Sequence, residues 1–472
     1  MQERREKLDK IKEKLGWPYS ISFFPKEAPI STVKEAFFEG KEASLAGRLL
    51  SRREHGGSIF FDIGDFSGKI QCYLKKDLIG QDKFLLFKEL DIGDILGVRG
   101  TLFKTKTGEV TIAVSSFQLL SKSLKALPEK WHGLKDIELR FRKRYLDLIA
   151  NPQSRSIFIH RSKLIRKIRE FLEGEGFIEV ETPLLHLVPG GASGRPFKTH
   201  HNALDMDIYL RIAPELYLKR LLVGGFDKIY ELNRSFRNEG ISPKHNPEFT
   251  MLEVYAAYKD YNFMMELTEN LLKKLAREVS SDGIINYQGF SLDFNKEFKR
   301  FSLASRLKED FGIKFQDSPQ EFIRKASGYF NIKENLSRSQ IIKLIEELIE
   351  EKYFGKEPVF VTDFYTWMSP LAKAKEDNPY LVERFELFVG GVELANAYSE
   401  LNDPIEQRKR FLQQIDAEEF TQRMDEDFIE ALEYGMPPAA GLGIGIDRLL
   451  MVLLNQPSLK EVIFFPLLKP QE

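Results

Sequence analysis

The stretch FRNEGISPKHNPEFTMLEVY, residues 236–255, decides how the chain is read. Its second half runs on into Ala256, Ala257 and Tyr258 and reads as a strand, being rich in aromatic and apolar residues. Side chains alternate along a strand, so Phe249, Met251, Glu253 and Tyr255 share one face. Arg237 and Glu239 are two apart and share a face if that segment is extended too. In ELANAYSE, residues 393–400, the same parity groups Leu394, Asn396, Tyr398 and Glu400. A solvated face is the ordinary reading for one side of an antiparallel sheet. The glutamates keep company here with Phe249, Met251, Tyr255 and Leu394, which prefer burial. If Glu253 and Glu400 converge half-buried, each needs a partner, because a desolvated carboxylate is costly. Two carboxylates together raise each other's pKa unless a cation lies between them. The pattern therefore points to a ligand with an ammonium head, or to a metal.

The same texture extends outward. MDIYLRIA, FDKIYELNRSFRNEG, PVFVTDF, VERFELFVGGVELANAYSEL and AAGLGIGID read as strands. SKLIRKIREFLEGEGF reads as an amphipathic helix, with Leu164, Ile168, Phe171 and Leu172 on one stripe. Residues 262–279 and 335–352 read as further helices. The order is mixed, without βαβ spacing, so the expected class is α+β with a mainly antiparallel sheet flanked by helices. Residues 41–121 differ: short runs rich in β-branched and aromatic residues, broken by Gly56-Gly57, Gly68 and Thr107-Gly108, suggest a small OB-type barrel. The expected domains are a helix and lead-in over 1–40, the barrel over 41–121, a polar linker over 122–150, and a large domain over 151–472 with a helical insertion at about 300–355. The N-terminal helix carries Leu8, Ile11 and Leu15 on one side and ends at Gly16 and Pro18. Its six Lys/Arg against four acids read as a solvated face or a nucleic-acid contact.

Composition bounds the rest. The chain has 472 residues, 42% hydrophobic and 30% charged, enough apolar material for two or three packed cores. Its net charge of -1 neither announces nor excludes a nucleic-acid partner. One cysteine, Cys72, allows no internal disulfide and suits a reducing cytoplasm. The first ten residues look like neither a signal nor a transit peptide, and no membrane span is expected.

Three segments then carry a resemblance. FRNEGISPKHNPEFTMLEVY resembles motif 2 of the class II aminoacyl-tRNA synthetases, in the form found in the lysyl-tRNA synthetase family. GLGIGIDRLLM, residues 441–451, resembles motif 3, and GFIEVETPLL, residues 176–185, resembles motif 1. HGLKDIELRFRKRYLDL, RIAPELYLKRLLVGGFDKIYELNRSFRNEG and FELFVGGVELANAYSELNDP are also similar to lysyl enzymes, so the likeness spans nearly the whole chain. It implies a ligase that activates lysine with ATP and transfers it to tRNA(Lys), acting as a cytoplasmic homodimer with motif 1 at the subunit interface.

The resemblance also implies roles. Arg237 would bridge the amino acid's carboxylate and the α-phosphate, which suits a guanidinium fork. Glu239 would hold the adenine amino group, His245 would approach the distal phosphates, and Phe249 would stack on adenine. Arg448 would lie across the ring or near the γ-phosphate, and Gly441, Gly443 and Gly445 would let backbone and nucleotide approach closely. Glu386 and Glu393 resemble carboxylates that bind Mg²⁺. Gly191 and Glu215 would receive lysine's α-ammonium, while Glu253, Tyr255, Asn396, Tyr398 and Glu400 would read its ε-ammonium. In the barrel, Phe60 would stack on an anticodon base, and Gln71 and Glu109 would hydrogen-bond base edges. The other reading of Phe60 is plain barrel core, since alternation puts one of Phe60 and Phe61 inside. Rival functions are an aspartyl- or asparaginyl-tRNA synthetase, a catalytically silent tRNA- or nucleotide-binding paralogue, and a paralogue that modifies an elongation factor. The last lacks an anticodon domain.

Overall fold

The computed structural model describes residues 1–470 apart from 128–133, 193, 328–339, 341–343, 346, 348–355 and 418–423. It divides into two units, Met1–Arg155 and Ser156–Glu472.

In the first unit five strands close a barrel: β1 (Glu42–His55), β2 (Ser58–Gly64), β3 (Lys69–Lys75), β4 (Ile95–Lys104) and β5 (Val110–Ser121), in the order β1-β2-β3-β5-β4. Period-2 burial builds its core. Ile59, Phe61 and Ile63 point inward from β2, and Ile70, Cys72 and Leu74 from β3. Phe61 packs on Phe87 of the helix Gln81–Lys88, with ring centroids 4.5 Å apart. The N-terminal helix Gln2–Leu15 buries Leu8 and Ile11 and ends at Gly16, whose φ of 82° lies in the region open to glycine. Two of its cations serve the fold and not solvent: Arg4 donates to the carbonyls of Ile92, Ser123 and Lys125, and Lys7 pairs with Asp91. The stretch expected as a polar linker contains two helices, Ile137–Arg142 and Arg144–Ala150, with an ion pair between fully buried Arg144 and Asp147.

The second unit is built on an eight-stranded sheet. Its members in chain order are β6 (Ile178–Glu179), β10 (Lys228–Phe236), β11 (Glu248–Ala257), β14 (Lys299–Ser302), β15 (Val359–Thr362), β16 (Arg384–Val389), β17 (Val392–Ser399) and β18 (Ala439–Gly445). Smaller sheets are formed by β7 (Leu185–His186), β8 (Lys198–His201) and β9 (Met206–Leu210), and by β12 (Ile284–Tyr287) with β13 (Phe290–Asp293). The large sheet runs β14-β15-β16-β17-β18-β11-β10-β6. It is antiparallel through the middle and parallel at its two ends, which agrees with the mixed, mainly antiparallel α+β expectation.

The two faces of this sheet differ. Leu252, Val254, Ala256, Leu442 and Ile444 join the main core with the helices Tyr261–Val279 and Ile446–Leu453. The opposite parity carries the polar residues. The helix Pro152–Gly174 starts ten residues earlier than its sequence pattern suggests, because Pro152 suits a first helical turn. Of the helical insertion, Leu303–Phe311 and Pro319–Ala326 are observed, and most of the helix expected over 335–352 lies outside the described residues.

Parity in β2 generates a stability test. Phe61→Ala removes a fully buried ring and should destabilise the protein by about 3–5 kcal/mol. Phe60→Ala removes an outward ring and should cost less than about 1 kcal/mol. Chemical-denaturation midpoints of the two variants check this ordering.

Candidate active site

A cavity of about 1270 Å³ opens on the polar face of the sheet. It is lined by Gly191, Glu215, Arg237, Glu239, His245, Phe249, Glu253, Tyr255, Glu386, Glu393, Asn396, Tyr398, Glu400 and Arg448, which brings together every candidate outside the barrel. The strand argument for Arg237 and Glu239 needs correction. β10 ends at Phe236, so the pair lies beyond it, held where the Arg237 amide donates to the Pro247 carbonyl at 2.9 Å. Gly194 lies against the Arg237 side chain and the Glu239 carboxylate, where a Cβ would sit about 3.0 Å from Arg237 Cδ. The Arg237 guanidinium lies over the Phe249 ring, 5.1 Å from its centroid. Burial lowers the pKa of Arg237, and Glu239 and Glu393 act against that.

The turn between β16 and β17 explains how two glutamates seven residues apart reach one wall. Gly390 and Gly391 both have positive φ, 64° and 77°, and make the hairpin. Leu387 pairs with Ala395 but Phe388 pairs with Glu393, so Leu394 is the extra residue of a β-bulge. The bulge resets the parity: Leu394 goes to the main core, and Glu393 turns to the side of Glu386 and Asn396. Each carboxylate already meets an arginine. Arg384 pairs with Glu386, and Arg448 donates to Glu393 at 2.9 Å and contacts His245 Nε2 at 3.1 Å. Two hard carboxylates on one wall of the cavity suit Mg²⁺ held mostly by phosphate and water. No cluster of three or more metal-ligating side chains occurs among the described residues, so Glu386 and Glu393 alone would not cage an ion.

At the other end lies a buried acid cluster. Glu215 opens the helix Glu215–Val223, Glu253 and Tyr255 project from β11, and Tyr398 and Glu400 come from β17 and its end. The Tyr255 hydroxyl donates to Glu253 at 3.1 Å, and the Tyr398 hydroxyl donates to Glu215 at 2.6 Å. Gly441 makes room for them, since a Cβ there would collide with the Glu400 carboxylate and the Tyr255 ring. Burial, reinforced by the charge of Glu215, pushes Glu253 up to about 8. Asn396 has its oxygen engaged by Arg384 Nε at 3.1 Å.

Sequence reasoning missed the cation in this cluster. Lys219 is fully buried, donates to Glu215 at 2.7 Å and pairs with Glu400. Burial works against its charge, but Glu215 and Glu400 outweigh it and hold the ammonium above its ordinary value. The signal was available: Glu215 and Lys219 are four apart, one helical turn, in PELYLKR. A second omission is the clasp around Asp447. Its carboxylate pairs with Arg161 at 2.6 Å and accepts from the Thr250 amide at 2.8 Å, while Arg161 also reaches the Thr250 hydroxyl at 3.0 Å. The helix Pro152–Gly174 and the motif 2 and motif 3 segments are thereby tied together beside Phe249 and Arg448.

The barrel candidates lie on its outer surface. Phe60 points out while Phe61 fills the core, and Phe60 forms a row with Tyr73 (centroids 4.7 Å) and, through it, Phe103 (6.2 Å). Gln71 accepts from the Thr111 hydroxyl at 3.0 Å, and exposed Glu109 meets Lys34 at 3.4 Å. Tyr73 and Phe103 were not singled out in the sequence, although Tyr73 shares the outward parity of Gln71 on β3.

Known proteins place this geometry. Residues 136–469 match the profile of tRNA synthetases class II (D, K and N), and residues 43–120 match the OB-fold nucleic acid binding domain. A lysine–tRNA ligase from Thermoanaerobacter pseudethanolicus is 51% identical over 99% of this chain and 95% of its own length. One from Carboxydothermus hydrogenoformans is 51% identical, covering 99% and 98%, and one from Clostridium tetani is 48% identical, covering 100% and 96%. With the motif 2 and motif 3 segments lining one cavity, a class II profile over residues 136–469 and relatives matched over at least 95% of their own length, the chain belongs to the class II aminoacyl-tRNA synthetases, in the lysine–tRNA ligase family.

Proposed function

We propose that the chain activates L-lysine with ATP and esterifies it to the 3′ end of tRNA(Lys). The observation that carries the choice of lysine is the acid cluster. Glu253 is buried with a phenol beside it, and no ion pair to it is found among the described residues. An ammonium brings three donors and no acceptor, which this wall of carboxylates and phenols matches. An aspartate or asparagine side chain would meet like charge or unpaired acceptors here, which disfavours both neighbouring specificities in this class.

In the first step a lysine carboxylate oxygen attacks the α-phosphorus in line, the bond to the bridging oxygen breaks, and pyrophosphate leaves. In the second, a terminal ribose hydroxyl of tRNA attacks the acyl carbon and AMP leaves. No nucleophile of the protein is needed. Arg237 would bind the carboxylate and α-phosphate together, hold them in line and offset charge as it develops. Phe249 would stack on adenine and Glu239 would accept its amino group. Arg448, with His245 beside it, would neutralise the distal phosphates. Mg²⁺ bound through Glu386 and Glu393 would supply further charge neutralisation at the phosphates. Gly191 and Glu215 would orient the α-ammonium, with Asn396, Tyr398 and Glu400 completing the far wall. The row Phe60–Tyr73–Phe103 supports anticodon stacking, with Gln71 and Glu109 reading base edges.

A homodimer in the cytoplasm is part of this reading. The motif 1 segment exposes Ile178, Leu184 and Leu185, Ile159 and Leu187 are exposed on either side of it, and β6 is an edge strand of the sheet, which supports burial against a second copy. No helix among the described residues is long and apolar enough to cross a membrane. Sedimentation at micromolar concentration should give a species of about twice the 54.7 kDa chain mass, and a monomer throughout would remove the dimer.

Pyrophosphate exchange with lysine, aspartate and asparagine supplied separately tests the assignment. Exchange should require lysine. Arg237→Ala should lose at least about 10²-fold in rate while its circular dichroism stays that of the parent. Exchange with aspartate or asparagine instead, or a parent-like rate in the variant, would reject the assignment.

Glu253 adds a pH signature. Its protonated form, favoured below about 8, cannot pair with an ammonium. The KM for lysine should therefore fall as pH rises through that value. Glu253→Gln should raise the KM by roughly tenfold or more, as truncating a buried charge pair does, and should flatten the slope.

A further inference from the structure

The acid cluster contains one cation of its own, and its placement bears on specificity. Lys219 projects from the helix Glu215–Val223, whose Leu218 and Leu222 anchor it in a core cluster. Its ammonium engages Glu215 and one oxygen, Oε2, of Glu400, and lies 5.6 Å from the centre of the Tyr398 ring. The other oxygen of Glu400 is buried without a hydrogen-bond partner. Glu253 meets the Tyr255 hydroxyl and no cation among the described residues. Two of the three carboxylates thus share one buried ammonium, and Glu253 and Glu400, which keep open acceptors, both line the cavity.

We infer that Lys219 is a specificity-determining positioning residue, which ties down one oxygen of Glu215 and one edge of Glu400 so that the side-chain ammonium of the substrate is received between Glu253 and the open oxygen of Glu400. This rests on the lysine reading above and deepens it. Without Lys219, three buried acids would face each other with no cation between them. They would hold protons at neutral pH, because like charges and burial both disfavour ionisation. The groups facing the cluster are Glu215 on the same helix, Glu253 and Tyr255 on β11, and Tyr398 and Glu400 on β17, with the paired Arg211 and Glu231 behind Glu253. With Lys219 in place, one fixed positive charge opposes the burial that raises Glu400, and the acceptors it leaves open, on Glu253 and Glu400, define the place of one ammonium. Lys219 does not touch the reacting atoms, so its effect should fall on lysine binding and not on the chemical step.

The test uses the full-length enzyme in pyrophosphate exchange. Lysine-dependent exchange by the parent tests the lysine reading; only the variants test Lys219. Lys219→Met keeps the length and removes the charge. It should raise the KM for lysine by on the order of tenfold at neutral pH, since an acid pair left without its cation loses at least that much. That KM should recover toward the parent value as pH rises, while the KM for ATP and the kcat at saturating lysine change less than about twofold. Lys219→Ala opens space for a small amine. Methylammonium should lower its lysine KM toward the parent value, and with the parent enzyme it should compete with lysine or do nothing. Lys219→Met with the parent's KM and pH profile would overturn the inference. So would a Lys219→Ala enzyme whose lysine and ATP parameters fall together without response to methylammonium, the pattern of a merely structural residue. If Lys219→Met does not fold, the response of Lys219→Ala to methylammonium decides the matter alone.

Discussion

Buried negative charge with too little positive charge to match it is the constraint around which this molecule is arranged. Glu215, Glu253 and Glu400 are each nearly inaccessible, and one lysine serves two of them. A folded chain tolerates a desolvated carboxylate only with a partner or a proton. The Tyr255 and Tyr398 hydroxyls supply hydrogen bonds, and Lys219 supplies charge. What remains open is a place shaped for one more cation. Affinity for an amine is thus the counterpart of a local cost in folding, as is usual where strained or charged groups collect at a functional site.

The sheet makes this arrangement affordable by separating its faces. One parity of β11 carries Leu252, Val254 and Ala256 into the main core, and the other presents Glu253 and Tyr255 to the cavity. Glycines on β18 matter for the same reason: at Gly441 a side chain would occupy the space of Glu400 and Tyr255. The bulge at Leu394 lets one strand serve both ends of the cavity, with Glu393 toward Arg448 and Asn396, Tyr398 and Glu400 toward the acid cluster. The Asp447 clasp then locks the helix Pro152–Gly174 to β11 beside Phe249 and Arg448.

Much of this was legible in the sequence, for physical reasons that can be named. Alternation identified the faces of β2, β11 and β17, because a side-chain period of two survives in any tertiary setting. It required one of Phe60 and Phe61 to lie inside β2, and only the structure shows that it is Phe61. It failed where the backbone leaves regular geometry. Arg237 and Glu239 follow the end of β10, and the bulge takes Leu394 off the face that alternation shared among Leu394, Asn396, Tyr398 and Glu400. Long-range pairs were beyond reach as well. Nothing local in Lys219 says that it will meet Glu400, or in Arg161 that it will meet Asp447, since those partners are far apart in sequence and are brought together by the sheet order. The helices within 137–150 were hidden by their polar composition, because their buried Arg144 and Asp147 neutralise one another instead of being apolar.

Proton release on binding probes the central claim most directly. Calorimetric titration of lysine into the enzyme near pH 7, repeated in buffers of different ionisation enthalpy, counts the protons exchanged. With Glu253 held up to about 8 in the free protein, an arriving ammonium should ionise it and release a fraction of a proton that approaches one. Binding with no proton exchanged, or with uptake, would mean that the buried acids do not receive the amine.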